Sequence, residues 1–287
     1  MTVCGVTFVR NGVQFDYPFL ESLRSLLPIC DSVVVVVGNS TDGTLERIRK
    51  VHDQKIRVIE TVWDESLRQG GAILAQQTNI ALRNAVGDWA FYLQADEVLH
   101  ERDYTAIRSS LEENSHDSRV DGLLFAYHHF YGGYRYVGCS RRWYRREVRA
   151  VRLNAGIESW GDAQGFRLAG RKLNVRPVDA FIYHYGWVKP PAIQQLKQRT
   201  FNKLWHDDAW IQENIPSVAQ YDYRKGGRLR PFEGSHPSAM RERISNQTWD
   251  FNYDETKLRR PLRELLLDSI EDLTGRRIGE YKNYNEV

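Results

Sequence analysis

The sequence predicts an α/β fold in which a mostly parallel sheet carries helices on both faces. Residues 32–37, SVVVVV, contain five consecutive β-branched valines without polar alternation, which is typical of a strand buried on both faces. Similar short apolar runs alternate, over the first hundred residues, with segments whose apolar residues recur at helical spacing. The chain has 287 residues, 41% of them hydrophobic, which is enough for a large packed core.

The first half predicts a regular alternation of strands and helices. Turn residues such as Asn11-Gly12 and the segment GNSTDGT separate the apolar runs, and Pro18 stands where a helix begins. The predicted order is strand 3–10, helix 19–27, strand 32–37, helix 45–51, strand 55–61, helix 71–85 and strand 89–93. The order βαβαβαβ indicates a Rossmann-like half.

The second half predicts a different arrangement. Residues 121–138 read as two strands around the turn Gly132-Gly133, and residues 172–187 as another strand, which together would form a smaller mixed sheet. Helical periodicity starts after Pro190, and residues 257–274 close the chain with an amphipathic helix. Residues 221–240 are rich in Gly, Pro and Arg and predict a long functional loop.

These patterns predict the domain organisation. We expect one domain over residues 1–190, with a first half (1–101) and a second half (102–190). Residues 191–287 would form a mainly helical extension that carries the long loop.

Composition narrows the function classes. The net charge is only +3 and no nucleic-acid motif is evident, which disfavours a nucleic-acid partner. Cys4, Cys30 and Cys139 are widely spaced and predict reduced thiols rather than disulfides or a zinc site. No apolar window reaches the ~20 residues of a membrane span and no export signal is evident, so we expect a cytoplasmic protein, with the basic tail compatible with the inner face of a membrane.

Five arginines concentrate in SRRWYRREVR, residues 140–149. Such a cluster predicts either a solvated strand or turn, or a site for phosphates or an acidic acceptor. Both interpretations stay open on the sequence.

Polar residues follow three of the predicted parallel strands. They are Arg10-Asn11, the loop 38–43, and Asp96 in QADE. In open parallel sheets ligands bind beyond the carboxyl ends of the strands, so these loops predict a ligand cradle.

The motifs in these loops resemble a known family. TFVRN (7–11), STDGT (40–44) and AQQTNIALRNAVGDWAFYLQADE (75–97) occur in the order found in nucleotide-sugar glycosyltransferases of the GT-A fold, particularly the inverting family 2. The resemblance is strong over residues 3–101, looser to about 197 and absent beyond. It implies that residues 1–101 are the nucleotide-binding half of the domain and residues 102–190 the acceptor half. GxGxxG and GxxxxGK[ST] are both missing, which argues against a dinucleotide dehydrogenase and a P-loop kinase.

The resemblance implies a divalent cation, Mn²⁺ or Mg²⁺, on the donor diphosphate. The last carboxylate of the family's DxD motif corresponds to Asp96, and Gln94 stands in place of its first Asp. His184, in IYHYGW, corresponds to the late histidine that many GT-A enzymes add to the metal or diphosphate. The alternatives are that His184 is a hydrogen-bonded histidine of the core and that Asp96 only caps a turn.

The resemblance also implies a catalytic base between these two positions. Asp162 in SWGDAQGF is the first candidate, with Glu158 in reserve, and Gln164 would contact the donor sugar. Asp162 is also well placed to cap a helix.

The remaining predicted donor contacts are spread along the chain. The family's base-reading Asp corresponds to Val37 here, which weakens the case for uracil. His236 would close on the diphosphate as part of a lid beside Arg228 and Arg230. The other predicted nucleotide or donor contacts are Thr7, Arg10, Asn11, Asn39, Asp42, Thr78, Asn79, Gln94 and Arg141.

Together these features predict an inverting, metal-assisted glycosyltransferase. It would move a sugar from a nucleoside-diphosphate donor, a UDP-sugar foremost, to a hydroxyl of a glycan or glycolipid, as in polysaccharide biosynthesis. A sugar-phosphate nucleotidyltransferase is one alternative. The other is a non-catalytic module that binds a nucleotide sugar or glycan on the same fold.

Overall fold

One mixed sheet of eleven strands forms the centre of the molecule in the computed structural model, which describes residues 1–67, 70–254, 256, 258 and 261–287. A separate antiparallel sheet has three strands, β9 to β11. In chain order the strands are β1 Val3–Val9, β2 Ser32–Val37, β3 Ile56–Glu60, β4 Trp89–Tyr92, β5 Glu97–Leu99, β6 Gly122–Tyr131, β7 Tyr136–Gly138, β8 Arg146–Arg152, β9 Ile157–Trp160, β10 Gly165–Leu168, β11 Arg171–Lys172, β12 Asn174–Trp187, β13 Leu229–Pro231 and β14 Asn285–Glu286.

Eight α-helices are described in the same residues, and short 3₁₀ turns connect some of them to their neighbours. The helices are α1 Phe19–Leu26, α2 Thr44–Arg49, α3 Ala72–Asn84, α4 Tyr104–Asn114, α5 Pro191–Phe201, α6 Asp208–Asn214, α7 Arg241–Ser245 and α8 Leu262–Thr274. Within the described part of the chain, no helix is long and apolar enough to cross a membrane.

The valines of β2 show why the first half is a parallel sheet. The strands β3, β2, β1 and β4 lie side by side and pair in parallel. Val33, Val35 and Val37 pack into one apolar cluster, whereas Val34 and Val36 pack into another on the opposite face. A strand that is covered on both faces needs apolar residues at every position, so the continuous valine run is explained.

The second half extends the same sheet. Strand β8 pairs antiparallel with β4 and with β6, and the fourteen-residue β12 pairs parallel with β6 and antiparallel with β5. The fold class is therefore confirmed, but the smaller sheet is β9 to β11 rather than the strands around Gly132-Gly133. Those strands, β6 and β7, pair at Phe130 and Val137 as an extension of the central sheet.

Most predicted elements occur with shifts of one or two residues at their ends. The closing helix is shorter than predicted and starts at Leu262; residues 257, 259 and 260 of the prediction lie outside the described residues. The predicted loop 221–240 contains the short strand β13, which pairs with β7.

Residues after 190 pack closely on this sheet. Phe201, Leu204 and Trp205 contact the apolar cluster that contains Val34 and Val36. At the other end of this segment, β14 pairs with β12. The C-terminal segment thus forms part of the walls around the carboxyl edge of the parallel strands.

Candidate functional site

A cavity of about 340 Å³ lies at the carboxyl edge of the parallel strands. Loops after β1, β3 and β4 form one side, and the end of α5 with the following turn forms the other. Its lining residues are Phe8, Val9, Arg10, Asn11, Phe15, Tyr17, Trp63, Asp64, Glu65, Leu67, Ile73, Leu74, Gln94, Ala95, Asp96, Thr200, Phe201, Lys203 and Leu204.

The loop after β1 is tied to the loop after β2. Asn11 adopts a left-handed backbone with φ of 52°, a conformation that asparagine tolerates better than most residues. Its N–H donates to Ser40 Oγ at 2.9 Å, and its side-chain oxygen accepts from the Thr41 N–H at 3.2 Å. Asp42 accepts hydrogen bonds from Gln14 and Thr44, so both of its oxygens hold the loops together.

Asp96 stands between β4 and β5 with its carboxylate at the cavity wall. Oxygen Oδ2 lies 3.7 Å from His184 Nε2 and 3.5 Å from Lys197 Nζ. Burial alone would raise the pKa of Asp96, but the contact with His184 and the charges of Lys197 and Lys189 hold that pKa well below its usual range. Asp96 is therefore ionised at neutral pH.

The neighbouring Glu97 points away from the cavity, as the alternation of an extended chain predicts. It is fully buried and forms a two-pronged ion pair with Arg149, at 2.9 and 2.8 Å. Tyr127 donates a further hydrogen bond to it at 2.8 Å. Glu97 thus anchors the segment that carries Asp96.

A hydrogen-bonded chain fixes the orientation of His184. His129 Nε2 lies 2.8 Å from the backbone oxygen of Tyr144, and His129 Nδ1 lies 2.9 Å from His184 Nδ1. Burial, and then the charge of His184, hold the pKa of His129 well below its usual value, so that ring is neutral. A carbonyl only accepts, so His129 donates from Nε2 and accepts at Nδ1, and His184 must donate from Nδ1.

This tautomer leaves His184 Nε2 facing Asp96 with a lone pair when the ring is neutral. A Cβ atom on Gly186 would lie 2.5 Å from His184 Nε2 and 2.6 Å from Asp96 Oδ2. Because residue 186 is a glycine, the space between these two atoms stays open. Imidazole nitrogen and carboxylate oxygen are both ligands of Mn²⁺-type cations, and a histidine ligand is usually held by a second group on its other nitrogen. The two side chains therefore fit a divalent cation.

The protein supplies only part of a coordination shell. Among the described residues, no group of three His, Cys, Asp or Glu side chains is placed to hold a metal ion. Gln94 lines the same cavity, but its amide nitrogen donates to Tyr92 Oη at 3.3 Å. A cation held by Asp96 and His184 would keep positions open for ligand oxygens, as Mg²⁺ does when it binds nucleotide phosphates.

Two buried lysines lie behind the wall that carries Asp96. Lys197 donates to the backbone oxygen of Gly186 at 3.0 Å, and Lys189 donates to that of Phe15 at 2.9 Å. Both ammonium groups lie over the ring of Tyr17, at 4.8 and 4.5 Å from its centroid. Burial lowers the pKa of both side chains, and most strongly that of Lys189.

The structure brings some of the predicted donor contacts together. Arg10, Asn11, Gln94 and Asp96 line the cavity. Asn39 is exposed and does not line the cavity, but its side-chain oxygen accepts a hydrogen bond from the backbone N–H of Trp63, which does.

Other predicted contacts are engaged elsewhere. Thr7 and Thr78 are buried, and Thr78 donates to the backbone oxygen of Leu74. Asn79 exchanges two hydrogen bonds with the backbone of Ser159. Val37 is buried in the core and cannot read a base there. These positions support the cavity rather than line it.

Asp162, Gln164 and Arg141 line a second cavity of about 410 Å³, between β8, the small sheet and the C-terminal residues. Asp162 Oδ1 accepts from the N–H of Gln164 at 3.3 Å within the turn between β9 and β10, so it caps this turn and not a helix. Glu158 is exposed on β9. Arg141 lies 3.5 Å from Glu271.

His236 lies in an aromatic cluster rather than at the cavity. One ring nitrogen is 2.8 Å from Tyr185 Oη and the other 3.1 Å from the backbone oxygen of Tyr134. Its ring packs on Phe130 and Phe232. The structure therefore does not bring His236 to Asp96.

Sequence reasoning missed several residues of both cavities. Trp63 and Tyr17, and Lys197 behind the cavity wall, belong to no motif, and their apolar or basic character is ordinary for a loop or helix. Glu147, a buried carboxyl whose Oε2 has no hydrogen-bond partner, lines the second cavity with Asp162. Only the position of Glu147 inside an arginine-rich strand could have singled it out.

The fold and the site together define a class of protein. A parallel sheet that delivers a carboxylate to a cavity at its carboxyl edge, with a late histidine opposite, is the arrangement of GT-A glycosyltransferases. The family model "Glycosyl transferase family 2" matches residues 17–174, more than half of the chain. The chain belongs to this family.

Comparison with curated protein sequences gives no match. Among solved structures, S. aureus TarS 1-349 in complex with UDP-GlcNAc is similar at 21% identity over 49% of this chain, with a TM-score of 0.36. The chain covers 38% of that TarS chain.

Glucosyl-3-phosphoglycerate synthase from Mycobacterium tuberculosis, in complex with Mg²⁺ and UDP, is similar at 16% identity over 45% of this chain and 43% of that one, with a TM-score of 0.30. The 4-diphosphocytidyl-2C-methyl-D-erythritol synthase from Anaerococcus prevotii is similar at 7% identity over 53% of this chain and 70% of that one, with a TM-score of 0.34. The family assignment rests on the sequence match, because structural similarities this low add nothing to it.

Proposed function

We propose that the chain is a glycosyltransferase that moves a sugar from a nucleoside-diphosphate donor, a UDP-sugar foremost, to a hydroxyl group, with inversion at the anomeric carbon. The observation that carries the proposal is the pair Asp96 and His184. Its two ligand atoms face each other across 3.7 Å beside a cavity at the carboxyl edge of the sheet. Ligands of open parallel sheets bind at this edge.

The cavity supplies groups suited to a nucleotide. The rings of Trp63 and Phe8, 6.2 Å apart, form an apolar wall, and aromatic faces stack on bases of any sequence. Trp63 Nε1 and Arg10 Nε are buried donors without an acceptor among the described residues. Unpaired buried donors are costly, so a polar ligand that accepts from them would be favoured.

The diphosphate would lie at the Asp96 end of the cavity. Asp96 and His184 would hold a divalent cation there, and its chemistry is to offset the charge of the departing nucleoside diphosphate. His129 keeps His184 in the tautomer that leaves Nε2 free, and Arg149 with Tyr127 keeps Glu97 turned away. These residues pre-organise the site before any ligand binds.

Proton removal from the acceptor would fall to Asp162. A carboxylate in this role accepts the hydroxyl proton as the new glycosidic bond forms and the bond to the diphosphate breaks. The second cavity, which Asp162 lines together with Gln164 and Trp160, would take the acceptor. We propose a glycan or glycolipid acceptor because an exposed tryptophan at this rim suits the apolar face of a sugar.

A thermal-shift panel of UDP-, GDP-, dTDP- and CDP-sugars, each with Mn²⁺, Mg²⁺ or EDTA, tests the donor site. Ligands that bind the folded state raise its melting temperature. For wild type we expect a metal-dependent rise of a few °C with one nucleotide class. Asp96→Asn should abolish it. Gly186→Ala should do the same, because its methyl group would occupy the space between His184 Nε2 and Asp96 Oδ2.

Two matched controls separate this effect from general damage. Asp179→Asn changes an exposed carboxylate on β12, and Gly133→Ala adds a methyl group that meets its neighbours at ordinary contact distances of 3.5 Å or more. Both should shift like wild type. No shift of wild type with any donor would refute the proposed function. Tight binding without release of free nucleoside diphosphate would favour the non-catalytic module.

A further inference from the structure

Lys197 is a buried cation directly behind the wall of the cavity that the proposed function assigns to the donor. Its side chain is 10% exposed, and its ammonium lies 3.5 Å from the carboxylate of Asp96. The rings of Tyr17 and Phe201, which line the same cavity, lie 4.8 and 5.4 Å from it. The ammonium therefore lies against three side chains that line the cavity, and a phosphate bound at Asp96 would come close to it.

The hydrogen-bonding capacity of this ammonium exceeds its partners in the described residues. An ammonium carries three N–H donors. One donates to the backbone oxygen of Gly186 at 3.0 Å, and Asp96 Oδ2 at 3.5 Å is the next oxygen. Aromatic faces cover other sides but accept no conventional hydrogen bond. An oxygen-rich ligand at Asp96 would supply the missing acceptor.

Charge around Asp96 points the same way. Lys189, fully buried, stands beside Lys197. The nearby carboxylate Asp16 is already engaged by Arg243 at 2.7 Å. Asp96 is thus the carboxylate that Lys197 faces, and it also faces His184 at 3.7 Å. A buried charge needs paired and hydrogen-bonded partners, and an anionic ligand at Asp96 would add one for the Lys197 ammonium.

We propose that Lys197 binds the terminal phosphate of the donor's diphosphate, next to the cation site at Asp96 and His184. This inference rests on the proposed function and identifies a further leaving-group contact in it. As the bond between the anomeric carbon and the phosphate oxygen breaks, its electron pair stays on that oxygen. The Lys197 ammonium stabilises this charge, and it holds the nucleoside diphosphate after transfer.

The experiment compares diphosphates with monophosphates. Dissociation constants of UDP and UMP, and of GDP and GMP, are measured by titration calorimetry for wild type, Lys197→Met, Lys197→Arg and Lys50→Met, each with Mn²⁺ and with EDTA. Hydrogen bonds to charged groups typically change affinity about 10- to 100-fold. Lys197→Met should therefore weaken the diphosphate by about 10- to 100-fold and the monophosphate by less than about threefold.

The loss should be present in EDTA as well as in Mn²⁺, because it comes from a protein group. Lys197→Arg keeps the positive charge and should retain most of the difference between diphosphate and monophosphate. Lys50 is exposed after α2, away from the cavity, so Lys50→Met should bind like wild type. Melting temperatures of all variants establish that each is folded.

The outcomes distinguish this inference from the proposed function. If a diphosphate binds wild type and Lys197→Met equally, the inference is wrong and the proposed function stands. Equal weakening of diphosphate and monophosphate would also overturn it, because Lys197 would then only shape Asp96 or the fold. If neither nucleotide class binds wild type, the proposed function fails and the inference fails with it.

Discussion

At the residue scale, buried groups with incomplete partners mark both cavities. Asp96 is singled out because it follows a strand, and His184 because of its place in the family's order; the structure sets their side chains 3.7 Å apart. Lys197 and Trp63 could not be predicted, because α5 and the loop after β3 reach the cavity only through the tertiary fold. The local sequence of α5 or of this loop does not indicate which part of the fold it will contact. Neighbouring carboxyls also differ in a way that only burial reveals, as Glu147 shows.

Glu147 should make stability depend on pH. Burial, opposed by the charge of Arg149 and reinforced by Glu97 and Asp162, raises the pKa of its carboxyl from 4.5 to about 8. The unfolded chain therefore loses this proton first as pH rises. The favourable contribution is fully present below about pH 4.5 and is lost as pH rises through about 8.

The Glu147→Gln variant has no ionisable group at this position, so it does not lose stability as pH rises through about 8. We expect its melting temperature to exceed that of wild type by a few °C at pH 8.5 and by much less at pH 5. Calorimetric melting at both pH values measures the difference. Glu113→Gln, exposed on α4, should track wild type at both. A constant offset between Glu147→Gln and wild type would contradict the raised pKa.

At the element scale, strand identity could be predicted but strand pairing could not. Residues 32–37 were predicted as a strand to the residue, because only a doubly buried strand needs five consecutive valines. The sequences of β8 and β12 contain no signal that these strands pair with β4, β6 and β5 in the central sheet. Which strands pair depends on the tertiary fold. Ion pairs buried between the strands then stabilise that pairing.

The Arg149–Glu97 ion pair is such a link, because it joins β8 to β5 and, through Tyr127, to β6. Arg149→Met would leave Glu97 buried without its counter-charge. Breaking a buried pair from one side costs about 3–5 kcal/mol. We expect a loss of this size in the free energy of unfolding, measured by urea denaturation.

A double-mutant cycle separates the pair from the packing around it. Adding Glu97→Gln to Arg149→Met should recover part of the stability, since the unpaired charge is then gone. Arg119→Met, which removes an exposed arginine paired with Asp117, should leave the denaturation midpoint unchanged. Additive losses in the cycle would show that Arg149 acts only by filling space.

At the scale of the whole molecule, the predicted boundary at residue 190 separates elements that share one core. Tyr284 packs with Val34 and Phe166, and Met240 packs with Phe130. Arg243 pairs with Asp16 across the chain. The sequence shows a change of hydrophobic periodicity at residue 190. This periodicity predicts the type of each element but not the surface on which the element packs.

We therefore expect the chain to unfold as a single cooperative unit. Residues 191–287 supply Phe201 and Leu204 to the cavity, and β14 extends β12 at the other end of the sheet. Differential scanning calorimetry should give one transition, with calorimetric and van't Hoff enthalpies in agreement. A fragment of residues 1–190 should lack that transition, because removing the rest would expose the apolar clusters around Val34 and Phe130. Two transitions, one of them reproduced by the fragment, would instead establish the boundary at 190 as a true division between independently folding domains.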